Sequence, residues 1–258
     1  NVAGIVALVA PEARLLPIRV LDDEGRGDAY VISKAIHHAV ANGATVINLS
    51  FGVPRSISLI GHLTEAVTEQ GVVVVAAAGN EAAGDPPFYP ARRSEVIMVT
   101  ALDSIDVKAD FADWNEKVHV SAPGTGVRSA YPGGWALGSG CSFATPFVTG
   151  EAALVRSAAP QLDPDAVQQV ISTAVDPIYH HPGNGPYVGE LGSGRLFLPS
   201  AVSGLVAVAD ASPARPLIRA SPNPTRGMIQ FRTPLFELAG VNARVATIHD
   251  AAGRRVAQ

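Results

Sequence analysis

A serine set among glycines at the start of an apolar helix is the strongest candidate for chemistry in this chain. Ser142 follows Gly138 and Gly140 and precedes Pro146, and Ala144, Phe147, Val148, Ala152 and Val155 recur after it at helical spacing. Glycines let the backbone approach another group closely, and a helix start offers unpaired N–H groups and the positive end of the dipole. That suits a hydroxyl whose attack generates negative charge; the same serine also suits a plain helix cap. Asn80 closes the apolar run at residues 72–78. A side-chain amide there can donate to an oxyanion, or simply form a turn. Attack by a hydroxyl also needs a general base and a carboxylate to orient it. His37 and His38 fall in one predicted helix, His62 in another and His119 in a strand; His180 and His181 lie in a Gly- and Pro-rich stretch and His249 near the end. None carries a motif that places it beside Ser142. His180 and His181 lack a further spaced carboxylate or Cys, so they read as loop histidines and no metal site is expected. Asp22 and Asp23 read as turn residues. Cys141 reads as a small buried residue, with a reactive thiol at the helix start as the alternative.

The elements around these residues alternate. Residues 2–10 form a helix stopped by Pro11, and residues 14–21 a strand ending at Asp22, Asp23 and the Gly25-Arg26-Gly27 turn. Residues 28–42 carry apolar positions at helical spacing with Gly43 as the stop, residues 45–50 form a strand, and Leu59, Leu63, Ala66 and Val67 mark a helix closed by Gly71. The run at 72–78 is β-branched and too short for most helices, as expected of a central parallel strand. Residues 95–102 and 117–121 supply further strands, and Asp163-Pro164-Asp165 starts another helix with a cap and a proline in its first turn. Residues 176–194 are irregular, and 195–205 pack back on the core. This rhythm implies right-handed βαβ units and a mostly parallel sheet with helices on both faces. Functional loops in such sheets gather at the carboxyl ends of the strands, where Gly25, Ser50 and Asn80 fall.

Composition fits a compact α/β enzyme. Of 258 residues, 47% are hydrophobic and 16% charged, a profile that excludes a disordered chain. The formal net charge of −4 argues against a nucleic-acid partner. No apolar run approaches the ~20 residues that span a bilayer. The single cysteine excludes an internal disulfide framework. No Gly-x-Gly-x-x-Gly follows a strand and no phosphate-loop lysine is present, which argues against a nucleotide-binding protein; no cofactor is expected.

Gly140-Cys141-Ser142-Phe143-Ala144-Thr145-Pro146, followed by Phe147-Val148-Thr149-Gly150, resembles the nucleophile motif of the subtilisin family of serine proteases. Cys141 stands where the family has Thr, and Phe147 where it has a noncatalytic His. Ala77-Ala78-Gly79-Asn80 resembles the oxyanion-hole motif, Val46-Ile47-Asn48-Leu49-Ser50-Phe51-Gly52 a substrate-binding edge strand, and Ser121-Ala122-Pro123-Gly124 a further signature. The four motifs occur in the family's order across residues 1–205. The resemblance implies a three-layer subtilisin-like fold and a serine endopeptidase acting on polypeptides through an acyl-enzyme on Ser142. It implies that Asn80 and the Ser142 N–H hold the oxyanion. Ser50, Phe51 and Gly52 would line one side of the pocket for the side chain preceding the cleaved bond, and Ala77, Ala78 and Gly79 another. Residues 25–29, with Gly25 and Gly27, would pair with an extended substrate backbone. Asn1-Val2-Ala3-Gly4 matches the last four positions of the family's catalytic His motif, so the His is expected three residues before Asn1 and the Asp further upstream. The chain by itself is then expected to be inactive, and a catalytically inactive pseudoprotease acting as a binding module is the alternative. The link from Gly4 to the strand at Arg14 is short, and no calcium is expected there.

Residues 206–219 have linker composition, and 220–258 read as the start of an all-β domain. Ser221-Pro222-Asn223-Pro224, Gly227 and the stretch from Ile248 to Val256 resemble the C-terminal domains that address bacterial proteins to the type IX secretion machinery. That resemblance implies an extracellular or outer-membrane-surface protein; an immunoglobulin-like accessory module is the alternative. The sequence specifies no oligomeric state.

Overall fold

The computed structural model describes residues 1–131, 133–209 and 244–250, with side chains for 1–131 and 133–203. In chain order the elements are α1 (Val2–Val9), β1 (Arg14–Leu21), α2 (Ala29–Ala41), β2 (Val46–Leu49), α3 (Ser58–Glu69), β3 (Val73–Ala77), β4 (Val96–Leu102) and β5 (Val120–Pro123). A hairpin follows, β6 (Val127–Tyr131) and β7 (Gly134–Gly138), then α4 (Cys141–Ala158), α5 (Pro164–Thr173), β8 (Val175–Asp176), a 3₁₀ turn (Pro182–Tyr187), β9 (Arg195–Leu196), α6 (Leu198–Ala209) and β10 (Arg244–Asp250). The helices begin where local chemistry starts them. The Asp28 carboxylate accepts from the N–H groups of Tyr30 and Val31 to open α2, and Asp163 accepts from Ala166 N at 2.8 Å to open α5, whose first residue is Pro164.

One sheet runs β1-β10-β2-β3-β4-β5-β9-β8, parallel throughout except for the β9–β8 edge. The strands at its centre are wholly buried and, apart from Asn48 and Thr100, apolar: Val-Ile-Asn-Leu in β2, Val-Val-Val-Ala-Ala in β3 and Val-Ile-Met-Val-Thr-Ala-Leu in β4. Such continuous runs are what a strand covered on both faces requires. On one side α2 packs with α3; α4 lies against β2 to β5 and packs with α1, α5 and α6. Gly150 of α4 lets α1 close in, since a Cβ there would stand 2.5 Å from Cβ of Val9.

The sequence reading differs from the structure in several places. The strand expected at 117–121 is β5 at Val120–Pro123, with His119 just before it, and the hairpin β6–β7 was not anticipated, because its exposed, alternating residues carry no run of buried ones. The segment expected to be irregular at 176–194 includes a 3₁₀ turn pinned by buried Asn184, whose amide donates to the carbonyls of Asp106 and Ile178. The expected boundary at residue 205 falls inside α6, which continues to Ala209. Most of the stretch 220–258 lies outside the described residues; its one described segment is β10. That strand pairs parallel with both β1 and β2, Ile248 lying beside Ile18 and Leu49. The β1–α2–β2 connection skips one strand position, and a strand there satisfies the inner N–H and C=O groups of both neighbours.

Candidate active site

The registers align the carboxyl ends of β2, β3 and β5 along one edge of the sheet, and the candidate residues follow those ends directly. Gly140 caps α4 at φ 148°, a conformation that favours glycine, and its N–H donates to Gly124 O at 2.8 Å. Gly124 follows β5, so the start of α4 is tied to that strand's end. A Cβ on Gly124 would lie 2.4 Å from Cβ of Ala101 and 3.0 Å from Gly140 O, which leaves no room for a side chain.

Ser142 sits in the first turn of α4, partly exposed. Its Oγ donates to Ser50 O and the Ser50 Oγ donates to Ser142 O, both at 3.0 Å. Pro146 accounts for the second bond. A proline within a helix has no N–H for the carbonyl four residues back, so Ser142 O is released from the helix ladder and takes the Ser50 hydroxyl instead. Ser50 is held in turn by Asn48 Nδ2 at 2.9 Å, and Asn48 Oδ1 accepts from Thr149 Oγ1 at 2.7 Å, about two turns further along α4 than Ser142. The network is buried from Asn48 to Thr149 and fixes the serine by its neighbours.

Asn80 lies beyond β3, after Gly79 at φ 122°. Its Oδ1 accepts from Cys141 N at 2.7 Å. Because a backbone N–H can only donate, the oxygen of the amide must face Cys141, and Nδ2 is the group left over. A Cβ on Gly140 would stand 3.5 Å from Asn80 Oδ1 and 3.6 Å from both Asn80 Nδ2 and Ser142 N. Asn80 Oδ1, Asn80 Nδ2 and Ser142 N thus border the same side-chain-free space beside Ser142, and of these Nδ2 and Ser142 N–H are donors.

Ser50 and Phe51 are buried, and Gly52 is kept bare by Phe88, whose ring would be 2.3 Å from a Cβ at that position. Val53 then bridges to Tyr89, closing that side. Ala77, Ala78 and Gly79 are buried at the end of β3 and lead straight into Asn80. Gly25 and Gly27 occupy a separate turn between β1 and α2; Gly27 bridges to Leu21, and neither glycine hydrogen-bonds to the Ser142 network. Asp22 accepts from the N–H groups of Glu24 and Arg26, and Asp23 pairs with Arg19, the turn roles expected of them.

Cys141 is fully buried, with Sγ 3.9 Å from Thr100 Oγ1, and burial pushes its thiol up to about 12. It is a small core residue and not a nucleophile. His119 is held neutral, its pKa lowered to about 4 by burial and by Lys117, and its Nδ1 accepts from Met98 N at 3.0 Å. His38 contacts Asn42 on α2, and the His180 and His181 rings lie 4.2 Å apart. Among the described side chains no histidine hydrogen-bonds Ser142, and no group of three or more His, Cys, Asp or Glu could hold a metal. Asn48, Thr149 and Asp113, the last discussed below, belong to the site but were not singled out from sequence. The signal available was their polarity within otherwise apolar, buried segments.

Fold and site together are those of a subtilisin-like α/β protein. The chain belongs to the Subtilase family, whose model matches residues 1–197. Among its relatives, Subtilisin Savinase of Lederbergia lenta is 38% identical over 161 residues, covering 62% of this chain and 59% of Savinase. The minor extracellular protease Epr of Bacillus subtilis (strain 168) is 34% identical over 170 residues, covering 62% of this chain and 26% of Epr. The chain thus spans less than two thirds of the length of these relatives. Among solved structures, a cold-adapted subtilisin-like serine proteinase superposes with a TM-score of 0.68 at 26% identity, over 77% of this chain and 72% of the other.

Proposed function

We propose that the protein is a serine endopeptidase that cleaves polypeptides through an acyl-enzyme on Ser142. The observation that carries the reading is the pinned amide of Asn80. With Oδ1 taken by Cys141 N–H, its Nδ2 joins Ser142 N–H beside the space an oxyanion would enter. In the attack, Ser142 Oγ exchanges its bond to Ser50 O for one to a general base, which takes its proton as the Oγ–carbon bond forms. Charge moves to the carbonyl oxygen, where the two donors meet it, and collapse of the tetrahedral intermediate, with the base passing the proton on to the leaving nitrogen, expels the amine and leaves the ester. The base and its carboxylate are assigned in this reading to chain preceding Asn1, on the match of residues 1–4 to the family's His motif. An extended substrate backbone would lie along residues 25–29 and 50–52, with its side chain before the cleaved bond between Ser50–Gly52 and Ala77–Gly79. An extracellular site of action, suggested by relatives such as Epr, completes the proposal; the resemblance of residues 220–258 to a type IX sorting domain is not carried into it, because residues 244–250 form β10 between β1 and β2. The test is hydrolysis of denatured casein by the intact protein: turnover that Ser142→Ala abolishes supports the reading, and absence of turnover, or turnover that survives Ser142→Ala, refutes it.

A further inference from the structure

Asn80 is only as well placed as the loop that follows it, and that loop is held by the buried carboxylate of Asp113 together with backbone bonds to residues 111–114. Asp113 Oδ1 accepts from Glu81 N at 2.9 Å and from Ala83 N at 2.8 Å. Asp113 N donates to Gly79 O at 3.2 Å, so the same residue grips the chain on both sides of Asn80. Its carbonyl accepts from Thr100 Oγ1 at 2.6 Å, which anchors it to β4. Neighbouring backbone joins in: Ala82 N donates to Phe111 O, and Trp114 N to Ala83 O. The loop needs such restraint, because Ala82 sits at φ 53°, a left-handed conformation that a non-glycine residue adopts only at a cost.

Asp113 is fully buried, and its Oδ2 has no hydrogen-bond partner among the described residues. That oxygen lies against Gly79, where a Cβ would be 2.0 Å away. In this chain Gly79 has no room for a side chain because the clamping carboxylate fills the space, in addition to its φ of 122°. The charged and titratable groups around Asp113 are Glu81, Lys108 and Cys141. Lys108 is itself buried, its Nζ donating to the carbonyls of Ala109 and Ala112 beneath the rings of Trp114 and Tyr187.

We propose that Asp113 is a positioning residue for the oxyanion donor: by gripping Gly79, Glu81 and Ala83 it fixes the amide of Asn80 against Cys141 N–H and so directs Nδ2 at the reacting carbonyl oxygen. The inference rests on the assignment of Asn80 as that donor. Losing a donor of this kind costs about 10²–10³ in kcat, and a donor that is present but loosely held forfeits part of that, about tenfold. The acceptor at Oδ1, more than the charge, does the holding.

The test compares Asp113→Ala and Asp113→Asn in the intact protein, each with Asn80 or Asn80→Ala, by kcat and KM on a peptide substrate, alongside hydrogen exchange resolved to single amides. Expected is a fall in kcat of about tenfold for Asp113→Ala with KM within about twofold. Asp113→Asn, which keeps an oxygen acceptor, should stay within about threefold of wild type. In the Asn80→Ala background Asp113→Ala should cost nothing further, because the donor it positions is gone. An unchanged kcat for Asp113→Ala, an equal loss in both backgrounds, or a failure of Asp113→Asn to rescue would overturn the proposal. Wild-type exchange needs no variant: Glu81 and Ala83 amides should be protected, and exchange at the unfolded-chain rate would also overturn it. If Asn80→Ala alone leaves kcat unchanged, the donor assignment fails and this inference with it, while faster exchange at Glu81 and Ala83 in Asp113→Ala would still identify the clamp as structural.

Discussion

Replacing Glu151 with glutamine should stabilise the protein in alkaline solution and leave it unchanged in acid. Glu151 lies in α4, fully buried, and neither carboxyl oxygen has a hydrogen-bond partner among the described residues. Burial alone pushes its carboxyl from 4.5 up to about 8. In the unfolded chain the group ionises near 4.5, in the folded protein only near 8. Below pH 4.5 it is protonated in both states and costs nothing. As pH rises from 4.5 to 8 the unfolded state gives up its proton first, and folding loses about 1.4 kcal/mol per pH unit, levelling at about 5 kcal/mol above pH 8. Glutamine keeps the shape and the neutral polarity without the titration. The assay is urea denaturation at pH 5, 7 and 9 in a Ser142→Ala background, which prevents self-digestion. The glutamine variant should exceed its parent by less than about 1 kcal/mol at pH 5 and by several kcal/mol at pH 9. His119 supplies a built-in contrast. Its folded pKa is lowered to about 4 from 6.5, so its contribution is complete above pH 6.5 and lost as pH falls toward 4. The two groups oppose each other between pH 4.5 and 6.5, which leaves the parent flat there and makes the Glu151→Gln variant rise with pH. A stability difference that does not change with pH would refute the reasoning.

Other outcomes follow from the same geometry. Asn80→Ala should lower kcat by about 10²–10³ with little change in KM, since the lost bond forms only as charge develops; steady-state kinetics on a peptide substrate would detect a ground-state role as a raised KM instead. Gly124→Ala should destabilise the fold by about 1–3 kcal/mol and reduce activity as well, because the new methyl meets Ala101 and displaces Gly140 O at the head of α4; thermal denaturation and kinetics at wild-type values would show that the loop has room. Cys141 should resist thiol reagents in the native protein at pH 8 and react fully in denaturant, which a colorimetric thiol assay reads directly.

How legible the protein was in its sequence differs from element to element. The apolar, β-branched run that becomes β3 could be recognised because a strand buried on both faces admits little else, and Asp28 and Asp163 marked helix starts because capping is chemistry between near neighbours. Ser142 and Asn80 stand out because each lies at the junction of a regular element and a glycine, but spacing alone also fits a helix cap and a turn, and their catalytic assignment comes from the resemblance to the subtilisin family. What decides how they are held was not legible. The Ser142–Ser50 and Thr149–Asn48 bonds join residues 92 and 101 positions apart, and Asp113 reaches back 30 and 32 positions to Ala83 and Glu81. No local spacing encodes such pairs. The hairpin β6–β7 escaped because its strands are half exposed and short, and the place of β10 within the large sheet escaped because strand order is set by partners far away in sequence.

The most direct test of the account is covalent labelling of the intact protein with a fluorophosphonate, followed by peptide mapping. An activated serine beside two oxyanion donors should form a single phosphonyl adduct on Ser142, absent in Ser142→Ala and strongly slowed in Asn80→Ala. No adduct on Ser142, with the protein folded and the reagent active on a control protease, would contradict the claim that this site performs nucleophilic catalysis.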